Sequence, residues 1–97
     1  MSKLFFPAVF HPEEVGGYSV TVPDFDGCFT QGDTLEEAYE MAFDAIGLFI
    51  EDLLDNKQNL PRPSSPKDLK HEPDDFVVLV EFDLDAYRRK HNSKAVK

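Results

Sequence analysis

The sequence lacks several features that would place it among common protein classes. It has no tryptophan and only one cysteine, Cys28, in 97 residues. One cysteine can form neither an internal disulfide nor a thiolate metal site, so we expect a reducing, cytoplasmic environment. No apolar run approaches the roughly 20 residues of a membrane span. The apolar start is interrupted by Pro7 and soon followed by acidic residues, which makes it too short for a signal peptide.

Basic residues are also scarce. Ten Lys and Arg stand against nineteen Asp and Glu, which gives a formal net charge of −9. All the acidic residues precede residue 86, whereas residues 86–97 contain five Lys and Arg and no acidic residue. An acidic body repels nucleic acid and attracts basic proteins, so we expect a protein partner and a last segment with a different role.

What the sequence does contain is typical of one small α+β domain. Hydrophobic residues make up 41% of the chain, with nine Phe to build a core. Alternation and turn residues predict strands at Leu4–Phe10, Tyr18–Val22, Cys28–Gln31 and Phe76–Phe82, the first two joined by a hairpin around Gly16 and Gly17. Pro7 has no N–H, which predicts an edge position or a bulge for the first strand. The fourth strand is apolar on both faces and is expected to be covered on both.

A long helix is predicted between the third and fourth strands. Thr34 and Glu37 match a capping box, and apolar residues then recur at spacings of three and four from about Leu35 to about Leu54. Gly47 inside this helix should cost about 1 kcal/mol relative to Ala. Residues 56–75, with four prolines, are predicted to be a connecting loop, and Asp83 is a candidate cap for a short final helix.

Residues 18–38 resemble the signature of HicB antitoxins. The resemblance rests on Pro23-Asp24-Phe25-Asp26-Gly27-Cys28, on Thr30-Gln31-Gly32-Asp33-Thr34 and on Glu37-Ala38, and it extends through the helix, residues 60–64 and the last strand. It implies a partial ribonuclease H-like fold, with three antiparallel strands, one long helix and a fourth strand (β-β-β-α-β). It also implies a partner, a small HicA-type toxin that cuts messenger RNA.

The resemblance further implies a division of the chain. Residues 1–87 would form the toxin-binding domain. Residues 88–97 would be a basic linker leading to a C-terminal ribbon-helix-helix or helix-turn-helix module, which is absent here and which binds the operator DNA of its own operon. Candidate DNA-contacting residues are therefore Arg88, Arg89, Lys90 and Lys94. A flexible, solubilising linker is the alternative.

The signature turn supplies the candidate toxin contacts. These are Asp24, Phe25, Asp26 and Phe29. Aromatic residues often dominate protein interfaces, although core packing is the alternative for at least one of the two Phe. The acidic face of the long helix has two interpretations, a solvated surface or a steering field for a basic toxin.

Catalysis is not predicted. A two-metal nuclease would use carboxylates on adjacent strands, and the candidates are Asp24, Asp26, Glu81, Asp83 and Asp85. Yet the first strand has no carboxylate, and nucleases of the ribonuclease H-like fold need one there. The three histidines are too scattered to form a metal motif, and Cys28 is expected to be a buried strand residue. We therefore expect no enzyme activity, no metal and no cofactor.

These features together predict a stoichiometric inhibitor of a toxin ribonuclease. Unpaired strand edges of a small sheet predict self-association as a homodimer or tetramer. The alternative is an orphan HicB-like domain that binds a small ligand or another protein without any toxin.

Overall fold

Four strands and two helices form the part of the chain that the structure, a computed structural model, describes, namely residues 3–92. The elements in chain order are β1 (Leu4–Pro12), β2 (Tyr18–Thr21), β3 (Phe29–Gly32), α1 (Leu35–Asp55), a 3-10 turn (Pro66–Asp68), β4 (Phe76–Phe82) and α2 (Leu84–Asn92). The predicted α+β fold, with three antiparallel strands, one long helix and a fourth strand, is confirmed.

The strands form one antiparallel sheet in the order β3-β2-β1-β4. Phe6 of β1 lies opposite Val80 of β4, and Phe10 lies between Val20 of β2 and Phe76 of β4. Alternation along each strand turns these residues towards α1, where they form the core. The largest buried core side chains on this face and on α1 are Phe6, Phe10, Phe82, Ile46, Ile50, Val20 and Val80.

The prediction that β1 is an edge strand is wrong. It pairs with β2 and β4, and its register with β4 runs without a break from Leu4 to Phe10, so there is no bulge either. Pro7 nevertheless has a strand neighbour on one side only, because pairing with β2 begins at Val9. A residue that cannot donate a hydrogen bond is tolerated at such a position.

The prediction that β4 is covered on both faces holds only in part, because the 3-10 turn contacts β4 and Pro7, opposite Leu79, is fully buried on the face away from α1. β4 is an edge strand, and α1 covers only one face of the sheet. Val80 and Phe82 are buried on the covered face, whereas Leu79 on the opposite face is 46% exposed. Phe5 of β1, 47% exposed, is a diagonal neighbour of Leu79 on that face.

The start of α1 has the predicted capping box, with one difference. The Thr34 hydroxyl accepts a hydrogen bond from the Glu37 N–H at 3.0 Å. The Glu37 carboxylate accepts from the N–H of Asp33 at 2.7 Å, one residue before the cap. Both bonds satisfy backbone donors that the first helical turn leaves unpaired, so the helix begins where the sequence indicates.

The β1–β2 hairpin turn is also where it was predicted. Gly16 and Gly17 both have positive φ, 98° and 83°. Within the turn, the Glu13 N–H donates to the Gly17 carbonyl at 3.0 Å. Glycine is needed because L side chains rarely adopt this backbone conformation.

Helix α2 begins at the predicted cap and extends further than expected. The Asp83 carboxylate accepts hydrogen bonds from the backbone N–H groups of Asp85 and Ala86, at 2.9 and 3.3 Å. The helix continues to Asn92. Residues 88–92 are therefore helical, and the division of the chain into a toxin-binding domain and a linker from residue 88 stays a prediction. Neither helix within residues 3–92 combines the length and apolar content needed to cross a membrane.

Candidate protein-binding site

The loop between β2 and β3 is closed tightly by its own backbone. The Val22 N–H donates to the Cys28 carbonyl at 3.0 Å, and the Phe25 N–H donates to the Val22 carbonyl at 3.1 Å. Gly27 takes a positive φ of 82° at the turn. These backbone hydrogen bonds therefore hold Asp24 and Asp26 in a defined position.

Cys28 is buried, as predicted. Burial raises the pKa of its thiol to about 11, so the thiol stays protonated near neutral pH. A protonated, buried thiol is a poor nucleophile and a poor metal ligand. The residue is part of the core beneath the loop.

Asp24 ties this loop to the long connection between α1 and β4. Its carboxylate accepts from the Ser64 backbone N–H at 2.9 Å and from the Ser64 hydroxyl at 2.5 Å. The two residues are forty positions apart in the sequence, so this contact fixes the path of the connection. Sequence spacing alone gave no sign of it.

The two phenylalanines of the signature segment have different environments. Phe25 is 4% exposed, and its ring contacts those of Phe6 and Phe49 at centroid distances of 4.8 and 5.9 Å. Core packing is therefore confirmed for Phe25. Phe29 is 69% exposed and lies opposite Thr21 at the β3 edge, on the sheet face away from α1.

The structure brings three of the four predicted toxin contacts to one groove. Its volume is about 330 Å³, and it separates the β2–β3 loop from the last turns of α1. The lining residues are Asp24, Phe25, Asp26, Phe49, Asp52, Leu53, Asn59 and Pro61. We call this the acidic groove, because three carboxylates line it and no basic residue among residues 3–92 does. Phe29 is not part of it, and Asp52 was not singled out by the sequence.

Carboxylates elsewhere on α1 are paired with α2. Arg88 binds Glu51 through two hydrogen bonds of 2.8 and 2.9 Å. Lys90 donates to Glu40 and to Asp44, each at 2.9 Å, and His91 lies 3.0 Å from Asp44. One side of the acidic helix is therefore neutralised within the domain.

The pKa values of these groups agree with the pairing. The hydrogen bond from Arg88 holds the pKa of Glu51 below its ordinary value. Burial raises the pKa of Asp44, but hydrogen bonds from Lys90 and His91 outweigh that effect and leave its pKa lowered. All these groups are at least partly exposed, so each pair stabilises the domain only modestly.

The predicted DNA contacts are only partly described. Arg88 and Lys90 are directed at α1, and Arg89 is exposed. Lys94 lies outside the described residues. A DNA-binding role for these four residues stays a prediction.

The carboxylates considered for a nuclease are not brought together at one site, since only Asp24 and Asp26 of the five line the acidic groove. Asp24 holds Ser64, Asp83 caps α2, and Glu81 pairs with Lys3 at 2.9 Å. Within residues 3–92, no group of three His, Cys, Asp or Glu side chains is placed to hold a metal ion. The described groups that meet in the acidic groove are suited to binding a cationic or amphipathic side chain.

Fold and groove together define a small α+β binding domain with an acidic surface. The chain belongs to the HicB-like antitoxin family of bacterial toxin–antitoxin systems, whose family model matches residues 6–96. The predicted resemblance is thereby confirmed.

Two curated relatives give the extent of the sequence similarity. The chain is 43% identical over 63 residues to antitoxin HicB 1 of Photorhabdus laumondii, covering 65% of this chain and 41% of that protein. It is 42% identical over 71 residues to a 14.9 kDa protein of Haemophilus phage HP1, covering 70% of this chain and 53% of the phage protein. The chain thus spans about half the length of these relatives.

Solved structures share the fold. The N-terminal domain of the Burkholderia pseudomallei antitoxin HicB matches with a TM-score of 0.72 and 28% identity, over 84% of this chain and 100% of that one. A chain of the HicA3 and HicB3 toxin-antitoxin complex matches with a TM-score of 0.67 and 28% identity, over 82% of this chain and 99% of that one.

Proposed function

We propose that this chain is the toxin-binding part of an antitoxin that binds and neutralises a HicA-type, messenger RNA-cutting toxin. The observation that carries the proposal is the match to a chain of the HicA3 and HicB3 complex, of which this fold covers 99%. Family membership over residues 6–96 supports it independently. Neutralisation would be stoichiometric, because the proposed activity is coverage of the toxin and involves no turnover.

The charge of the chain supports the same role. A ribonuclease that binds RNA needs a basic surface, and a partner with a net charge of −9 would be attracted to it. Such complementarity raises the association rate and covers the surface that RNA would otherwise use. Because screening weakens long-range attraction, the association rate should fall as ionic strength rises.

The decisive experiment is cleavage of a labelled RNA by the polypeptide encoded next to this gene, titrated with this chain. We expect cleavage to fall linearly and to stop at a fixed molar ratio. A neighbour that remains active in excess of the folded chain would contradict the proposal and favour the orphan binding domain. Heat-unfolded chain at the same concentrations is the control for nonspecific inhibition.

We also propose that the whole antitoxin regulates its own operon through DNA binding by a C-terminal module, as the family resemblance implies. Arg88 and Lys90 are paired with carboxylates of α1, which supports assigning the main phosphate contacts to another segment. Residues 1–97 should then bind operator DNA weakly at physiological salt. Tight binding by this chain in a mobility-shift assay would contradict that assignment.

A further inference from the structure

We propose that the acidic groove is a receptor for one arginine side chain of the basic partner. This inference rests on the proposed function and specifies the chemistry by which the partner is recognised. The groove is about 330 Å³, at the lower end of the roughly 300–1,000 Å³ typical of small-molecule sites. Its size suits one inserted side chain better than a cofactor.

The floor of the groove is aromatic and aliphatic. The ring of Phe49 is half-buried and lines the groove, backed by the buried ring of Phe25 at a centroid distance of 5.9 Å, and Leu53 and Pro61 continue the apolar surface. A planar guanidinium can stack on the Phe49 ring while its alkyl stem covers the aliphatic groups. A lysine ammonium is more compact and more strongly hydrated, so it benefits less from this floor.

The rim carries negative charge that no basic residue of the groove compensates. Asp26 is exposed and has no hydrogen-bond or ion-pair partner among residues 3–92. Asp52 accepts one hydrogen bond on its side chain, from the Asn56 amide at 3.3 Å. Glu51, on the neighbouring position of α1, is instead paired with Arg88. In the groove, the carboxylate of Asp52 has no ion pair with any of the described residues and can bind an external cation.

The groove is also held in shape before any partner arrives. Both oxygens of Asp24 are engaged by Ser64, in the connection that supplies Asn59 and Pro61 to the opposite wall. A preformed site avoids the entropic cost of ordering a loop on binding. In this assignment Asp24 positions the wall, while Asp26 and Asp52 contact the guanidinium.

The test uses NMR spectroscopy of the ¹⁵N-labelled 97-residue chain, titrated with N-acetyl-arginine amide. N-acetyl-citrulline amide has nearly the same shape but no charge and is the matched control ligand. We expect saturable shifts confined to the amides around Asp26, Phe49 and Asp52 with the arginine compound and not with the citrulline compound. Equal shifts with both compounds, or shifts scattered over all acidic residues, would overturn the proposal.

Variants extend the test to the partner itself. Asp26→Asn with Asp52→Asn should abolish the localised shifts and weaken toxin binding by at least about tenfold. Asp68→Asn with Asp74→Asn makes the same charge change at exposed positions outside the groove and is the control. An equal loss in both double variants would mean that only general charge acts, and the receptor would be refuted.

The two proposals fail in different ways. If the wild-type chain neutralises the toxin and the groove variant does so equally well, the receptor is wrong and the antitoxin role stands. If the localised arginine shifts are present but no adjacent nuclease is neutralised, the groove stands as an arginine site and the antitoxin role is wrong.

Discussion

Gly47 allows the two helices of the domain to pack closely. A Cβ atom at this position would lie 2.1 Å from Cε1 of Tyr87, whose ring is 6% exposed and is packed against Phe43 and Phe82. The sequence indicated only the unfavourable side of this glycine, its low helix propensity. The compensating contact comes from a residue forty positions later in the sequence, which no local pattern reveals.

Gly47→Ala should therefore destabilise the domain although alanine is the better helix former. Propensity favours alanine by about 1 kcal/mol, but overpacking in a filled core costs typically about 1–3 kcal/mol. We expect a net loss of about 1–2 kcal/mol in the free energy of unfolding, measured by urea denaturation. In a Tyr87→Ala background the same change should become neutral or stabilising. A loss of equal size in both backgrounds would show that Tyr87 is not the cause.

Asp24 and Asp26 provide a matched pair within one loop. Asp24→Asn should lower the free energy of unfolding by about 1–2 kcal/mol, because an amide cannot accept on both atoms from the Ser64 N–H and hydroxyl. Asp26→Asn should change it by less than about 0.5 kcal/mol, since Asp26 is exposed and unpaired among residues 3–92. Chemical denaturation of both variants gives the comparison, and equal effects would exclude the Ser64 contact as the reason.

At the scale of elements, the features predicted correctly from the sequence are those that depend on residues close together in the chain. The hairpin glycines, the Thr34 capping box and the Asp83 cap are all local, and each is confirmed. The position of β1 in the sheet was predicted wrongly. Pro7 prevents pairing only at residue 7 and only on one side of the strand, so the rest of β1 can still pair with two strands. The docking of α2 was missed because its ion pairs join residues 37–50 positions apart.

The same distinction holds for the candidate site. Asp24, Phe25 and Asp26 were found because the signature segment drew attention to their loop. Asp52 was missed because its role depends on α1 passing beside that loop. Periodicity placed Asp52 on a polar helix face and could not show which loop lies in front of it.

One contact between elements predicts a pH dependence. His11, at the end of β1, donates to Asp75, just before β4. The hydrogen bond with Asp75 raises the pKa of His11 above 6.5, and the same bond lowers the pKa of Asp75 below 3.8. The stabilisation from His11 is complete below pH 6.5 and is lost as pH rises through the raised pKa. That from Asp75 is present above pH 3.8 and is lost as pH falls through the lowered pKa.

The pair should thus stabilise the domain most between pH 3.8 and pH 6.5. NMR titration of the histidine ring protons should give His11 a pKa above 6.5 in the wild type and one closer to 6.5 in Asp75→Asn. His11→Gln should lower the urea midpoint at about pH 5.5 and leave it nearly unchanged at about pH 8.5. A titration of His11 that Asp75→Asn does not move would show that the pair does not form in solution.

At the scale of the whole molecule, charge is distributed unevenly over the surface. The side of α1 that meets α2 has its carboxylates paired internally, whereas those lining the acidic groove meet no basic residue there. The sheet face opposite α1 differs again, since Phe5, Phe29 and Leu79 are exposed on it. The domain therefore has an acidic groove beside the β2–β3 loop and exposed apolar side chains on one face of the sheet, and these suit different contacts.

The exposed side chains of Phe5 and Leu79 and the edge of β4 predict self-association. Within the described part of the chain, β4 has seven residues with an unpaired edge, whereas β3 at the other edge has only four. Long apolar edges favour pairing with another strand, and short ones are protected. We expect light scattering to show a dimer or tetramer of the wild-type chain at micromolar concentrations.

Leu79→Lys should shift the equilibrium towards monomer, because a charged edge residue opposes pairing. Leu48→Lys, at a 65% exposed position on α1, is the control. A wild-type chain that stays monomeric, or equal dissociation by both variants, would rule out assembly through β4.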